Sequence, residues 1–405
     1  MTLLDILPSL RSATRPRVDT TIWPLTTHVD ELGRLCVGSV ALTDVADQFG
    51  TPTYVLDEAD FRRRAQQYRA ALRGVEVVYG ARSLLTTTVA RWVHEAGLGM
   101  AVCSTAELAM AVAGGMDPAR IVLHGRAKCT EELAMAVQAG VGRVVLDSPI
   151  DIAYLAGLVR ARQLVLLRVS RGIELTPTLQ RALATPQLKV AGLYCRLGSQ
   201  ITDPEVYVGA IRQLVATMSD IRAEHAVVLT ELNIGGGQAV GLDPDTLADF
   251  LEDALDAACA AERFPRPRLV VEPGRAISAR AGVTLIRVQS VSTRTDGRML
   301  VATDGIFGSD MKHPVVLANR HPISPAATVT VSNRDNDVIA DDIALPADVR
   351  PGDLLAIGAT GAYHHSMSAP YALSARPPVV AVRDRQVQPL VRRETVSDLL
   401  RRDCG

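Results

Sequence analysis

The sequence predicts an α/β protein, a long stretch of alternating strands and helices followed by a β-rich region. Two observations carry that expectation. From about residue 50 to 280, short β-branched apolar runs alternate with amphipathic segments of helical period, the pattern of βα units building a parallel sheet. Beyond about residue 280, segments such as GVTLIRVQSVSTR, RMLVATD, ATVTVSN and PPVVAVRDRQVQPLV are β-rich, and their turns carry Pro, Gly and Asp, as in PADVRPGD. With 405 residues, 48% of them hydrophobic, the chain can bury one large core and a smaller one.

In order along the chain, HVDELGRLCVGSV reads as strand and is expected to pair with the β-rich region. The strands of the alternating stretch are TYVLD, EVVYG, GMAVCS, RIVLHG, RVVLDS, QLVLLRVS, KVAGLYCRLG, TELNIGGG and RLVVEPG. Helices between them have readable starts: Ser104 or Thr105 before AELAMAVAGG, and Asp203 followed by proline before EVYVGAIRQLVATMSDI. Nine strands suit either a (β/α)8 barrel with one extra strand or a doubly wound open sheet. A barrel would set the residues after each strand on one functional rim. The domains expected are 1–47, an N-terminal segment with a strand joining the β domain, 48–280, the α/β part, and 281–405, the β domain.

A formal net charge of −1 excludes the broad basic field that nucleic acid or an anionic membrane needs, so recognition is local and its target is a small ligand or a protein. Six cysteines without CxxC spacing read as reduced thiols and favour the cytoplasm. The start MTLLDILPSLRSATRPR has no signal-peptide pattern, and no run of 18 apolar residues spans a membrane. No metal site is expected: adjacent residues such as His364 and His365 point different ways, and no carboxylate pattern accompanies them. The acidic run at 340–342 reads as a solvated turn. Of 43 basic residues only Lys128, Lys189 and Lys312 are lysines.

Three strand ends stand out: LGSQ at 197–200, IGGGQ at 234–238 and EPGR at 272–275. Backbone N–H groups of tight glycine turns can close on a phosphate, and an arginine adds a bidentate contact. Together with PTYVLDE, HGRAK, GDLLAI and GAYHHSMS, in this order, they resemble the fold-type III pyridoxal-phosphate decarboxylases, the diaminopimelate and ornithine decarboxylase family. The resemblance covers nearly the whole chain. It implies an alanine racemase-like (β/α)8 barrel, with TYVLD as the extra strand, plus a C-terminal β domain, and a homodimer with active sites at the subunit interface.

The resemblance also implies roles. Ser199, Gly235, Gly236, Gly237, Gly274, Arg275 and Tyr363 fall on the phosphate-holding positions, and Glu272 on that of the carboxylate that keeps the pyridine nitrogen protonated. Other positions depart from the pattern. In VVYGARSLL, Arg82 stands where the family carries its Schiff-base lysine, and a guanidinium does not replace that amine. Arg196 replaces the histidine that stacks on the cofactor ring, and Ala101 an aspartate near it. Asn333 and Arg334 fall on a Cys-Glu pair donated across the dimer interface, and His313 and Leu317 on an arginine and a tyrosine that grip substrate; of the substrate contacts, Arg275 and Tyr363 remain.

These departures lead to the expectation of a diverged relative unable to run the family's decarboxylation. Such a chain would be a pseudoenzyme with an arginine-rich pocket for a small anionic or amino-acid ligand, or a regulatory partner in a heterodimer with an active paralogue. Pyridoxal phosphate would then be bound non-covalently or be absent. The alternative is an active amino-acid decarboxylase of the diaminopimelate type, in which Lys128 or Lys312 serves, or in which the cofactor is used without a lysine link.

Overall fold

The computed structural model of the protein describes residues 18–305 and 313–404. The N-terminal stretch read above for targeting lies outside the described residues. The chain divides into two compact units: one takes in the chain up to Phe61 and again from Ala279, the other is Arg62–Ser278.

The N-terminal strands β1 (His28–Val29), β2 (Leu35–Val37) and β3 (Val40–Ala41) pair antiparallel in a small sheet of their own. They were expected to pair with the β-rich region. They join it through packing instead: Leu35, Val37 and Val40 share a buried core with Val55, Val283, Leu285 and Val380.

Strand β4 (Thr53–Asp57) corrects a second expectation. It is not the barrel's extra strand. It lies in the large sheet, antiparallel to β13 (Gly282–Thr293) on one edge and parallel to β19 (Val379–Arg383) on the other. All five of its residues are buried. A run buried on both faces suits the centre of either sheet, and both of its edges are taken here.

The eight strands that follow close the second unit into an all-parallel barrel. They are β5 (Glu76–Gly80), β6 (Gly99–Val102), β7 (Ile121–Leu123), β8 (Arg143–Leu146), β9 (Gln163–Val169), β10 (Leu188–Cys195), β11 (Glu231–Asn233) and β12 (Arg268–Val271), with β12 pairing back to β5. Helices follow because their starts are capped: Thr86 accepts from the N–H of Val89, Ser104 from Glu107 and Ser148 from Asp151. The long helix Glu205–His225 starts just after the expected residue, and Asp203 still accepts the Glu205 N–H at 3.0 Å.

Side chains fill the barrel. Val78, Ala101, Val122, Val145, Leu166, Ala191, Tyr194 and Val270 pack in its interior, each strand but β11 contributing. Strand β10 is irregular between Val190 and Gly192, and a Cβ added at Gly192 would lie 1.8 Å from the Glu231 carbonyl oxygen of β11.

Charges close the barrel floor, where the strands begin. Arg143 of β8 reaches across to Glu76 of β5, at 2.9 and 2.8 Å from its two oxygens, and to Glu231 of β11 at 3.3 Å. Arg268 of β12 pairs with the same two glutamates. Glu231 is buried, which pushes its carboxyl up, while Arg143 and Arg268 pull it down.

The other unit holds the β-rich region. Besides β13 and β19 it contains β14 (Met299–Thr303), β15 (Val315–Leu317), β16 (Ala326–Ser332), β17 (Val338–Pro346), β18 (Leu354–Ile357) and β20 (Gln386–Val391). The main path runs β17-β16-β14-β13-β4-β19-β20, and β18 pairs with β13 and β15.

Candidate functional site at the barrel rim

The ends of the barrel strands gather the polar side chains. After β5 the chain makes one tight turn over Ala81–Ser83. Ser83 Oγ lies 2.9 Å from both the Gly80 carbonyl and the Tyr79 hydroxyl, which donates to the Leu84 carbonyl at 2.8 Å. This fixed turn presents Arg82, exposed, with Nη2 2.8 Å from Cys103 Sγ beyond β6. The Cys103 N–H donates to Glu107 at 2.6 Å. Burial pushes the Cys103 thiol up, with Arg82 pulling the other way. Burial likewise raises the Glu107 carboxyl against the pull of the Cys103 amide and Arg82.

At the centre lies Glu272, at the end of β12 and only 8% exposed. Its Oε1 is 2.8 Å from His124 Nε2, beyond β7, and accepts from Asn233 Nδ2 of β11 at 2.8 Å. Oε2 carries neither of these bonds. Burial alone would raise this carboxyl; the His124 ring, the Asn233 amide and the Arg168 guanidinium outweigh it and hold it below the usual carboxylate value. Tyr194 of β10 stacks obliquely on His124, ring centroids 4.7 Å apart, and Arg168 of β9 lies over the Tyr194 ring at 4.6 Å. Arg168 also pairs with Asp147 after β8.

Beside Glu272 the glycines form a tight cup. Gly235 and Gly237 have φ of +69° and +107°, which a side chain would strain. An added Cβ would lie 2.6 Å from the Cys195 carbonyl oxygen at Gly235, 2.4 Å from that of Glu272 at Gly236 and 2.8 Å from that of Gly198 at Gly237. Arg64 braces both sides of this cup, donating to the Ala276 carbonyl at 3.0 Å and the Val240 carbonyl at 2.6 Å.

The residues singled out from the sequence divide between the units. Arg82, Arg196, Ser199, Gly235, Gly236, Gly237, Glu272, Gly274 and Arg275 all stand at C-terminal strand ends of the barrel unit. Ala101 is a buried wall residue of the barrel interior. His313, Leu317, Asn333, Arg334 and Tyr363 belong to the other unit, and Lys312 lies outside the described residues.

Within that unit Asn333 shapes the β16–β17 turn. Its side chain accepts from the N–H groups of Asp335 and Asp337 at 2.8 Å each, and Arg334 is exposed beside it. His313 is buried in an apolar cavity with Ile286, Val315, Ile339 and Ile357, packed edge-on against His364 at 4.8 Å. His365 turns instead to Tyr54.

The sequence reading missed His124, Asn233, Arg168 and Tyr194. The signal for them was position: each sits at or just beyond the end of a predicted strand, where a barrel collects its chemistry.

Such a rim defines the class, a barrel with a glycine cup beside a buried, charge-held carboxylate. The model of the family described as pyridoxal-dependent decarboxylase, pyridoxal binding domain, matches residues 58–279, and this chain belongs to that family. It is 41% identical to a diaminopimelate decarboxylase of Actinosynnema pretiosum subsp. auranticum over 100% of both chains. It is 35% identical to that of Mycobacterium tuberculosis (strain H37Rv), over 94% of this chain and 97% of the relative. In fold it matches the crystal structure of diaminopimelate decarboxylase from M. jannaschii with a TM-score of 0.87, at 22% identity over 94% and 98% of the two chains.

These relatives overturn the expectation of a pseudoenzyme that has lost the family's reaction and acts as a ligand-binding or regulatory paralogue. Full-length identity of 41% to a decarboxylase outweighs a few rim positions. The expectation that the cofactor is absent goes with it, since the matched domain is a pyridoxal binding domain. Among the described residues, no helix is long and apolar enough to cross a membrane.

Proposed function

We propose that the chain is a pyridoxal-phosphate-dependent amino-acid decarboxylase acting on a diaminopimelate-type substrate. The observation that carries this reading is identity of 41% along its whole length with a diaminopimelate decarboxylase.

The rim residues fit the cofactor on two sides. The crowded glycines at 235–237, with Ser199, Gly274 and Arg275, would hold its phosphate, since a Cβ would fill the space that backbone N–H groups need to approach it. Glu272 would keep the ring nitrogen protonated, because its neighbours hold it ionised even when buried. His124 and Asn233 fix that carboxylate in place, and Tyr194 in turn supports His124. When bound, pyridoxal phosphate supplies the electron sink that accepts the pair left as carbon dioxide departs. Arg82 and Arg196, both exposed on the rim, would attract the carboxylates of the substrate. On the third side, where a lysine would attach the cofactor, Arg82 stands in the turn after β5 and the residues do not fit.

The test is carbon dioxide release and lysine formation from diaminopimelate by the purified protein supplied with pyridoxal phosphate. Turnover that Glu272→Gln slows by orders of magnitude supports the reading. No release from diaminopimelate or any other diamino acid sinks it.

A further inference from the structure

Attaching a carbonyl cofactor to protein needs a primary amine that can lose its proton and reach the carbonyl carbon. The chain has three lysines, of which Lys312 lies outside the described residues. Lys189 is the second residue of β10, whose other end forms the rim. Lys128 is close to the rim but enclosed. Its side chain is 1% exposed, and Nζ meets the Gly125 carbonyl at 2.6 Å, Asp147 at 3.3 Å and Asp151 at 3.5 Å. Three ammonium protons thus face three acceptors. The Gly125 backbone folds against the stem, an added Cβ there lying 3.3 Å from Lys128 Cγ. Lys128 is a structural cation tying β7 to β8. At the end of β5 stands Arg82, whose guanidinium stays protonated.

We infer that this barrel carries pyridoxal phosphate without a covalent link to lysine, held by the glycine cup and Glu272, with the Arg82 guanidinium in the place of an attaching amine. The inference rests on the decarboxylase reading and refines it.

The experiment is equilibrium dialysis of the full chain with pyridoxal phosphate, followed by borohydride reduction, intact mass and peptide mapping, with Arg82→Lys run in parallel. The wild-type chain is expected to retain the cofactor and gain no mass on reduction. Diaminopimelate added before reduction should collect the cofactor as a reduced small-molecule adduct. Arg82→Lys should gain one cofactor per chain, mapped to position 82. A reduced cofactor on Lys128 or Lys312 of the wild type, in proportion to occupancy, overturns the inference and leaves the decarboxylase reading standing. Failure to retain the cofactor sinks both. Retention by Arg82→Lys with no adduct at position 82 overturns the placement of the carbonyl beside β5.

Discussion

The two ends of the barrel use arginine in opposite ways. At the floor, Arg143 and Arg268 meet Glu76 and Glu231 from neighbouring or facing strands, two cations to two anions, and the Arg143 side chain is 8% exposed. At the rim, Arg82 sits exposed on a one-turn loop against a thiol, and Arg196 is exposed on the loop after β10. The same side chain is a brace where strand starts hold a carboxylate opposite it. It stands exposed where the chain leaves the sheet and faces solvent.

The comparison breaks most visibly at the floor. Arg143→Met leaves Glu231 buried with less compensation and is expected to cost about 3–5 kcal/mol, read as a lower urea midpoint, with cofactor retention unchanged in the folded fraction. Equal loss of cofactor and of stability would show the two ends to be coupled.

Glu272→Gln, at the rim, takes the negative charge out of the bonds to His124 and Asn233 and should cost about 1.5–3 kcal/mol at neutral pH. Because the folded state lowers the Glu272 pKa, its contribution is present above the unfolded value of about 4.3 and is lost as pH falls through the folded value. The melting-temperature gap between wild type and variant should therefore be flat near neutrality and shrink below about pH 4. A gap that widens in acid would contradict the ionised carboxylate.

Gly236→Ala sharpens the contrast, because its Cβ would meet the Glu272 carbonyl oxygen at 2.4 Å. Overpacking of about 1–3 kcal/mol is expected, and loss of cofactor retention in dialysis should exceed the loss of stability. The smallest effect belongs to Arg82→Ala, which should change stability by no more than about 0.5 kcal/mol while weakening capture of the dicarboxylate substrate, read as a raised KM.

The barrel was legible in the sequence because its strands are β-branched runs that end in glycine or charge, and EVVYG through RLVVEPG became β5 to β12 in order. TYVLD misled because five buried residues look alike whether the strand lies in a barrel or an open sheet. The glycine cup was legible from its motifs. The cluster around Glu272 was not, since His124 lies 148 residues away and only ring closure brings them together. The pseudoenzyme expectation built on Arg82 is overturned by the full-length relatives. Under the proposed function, position 82 bears on how the cofactor is attached, and the cup and the carboxylate on whether it is held.

Gly192 has a mechanical consequence. Any side chain there must part β10 from β11, for the Glu231 carbonyl stands 1.8 Å from where its first carbon would be. In an open sheet a displaced strand can drift outward at a free edge. A closed hoop has no edge, so the spreading passes from joint to joint around the circumference and reaches every loop that the strands carry.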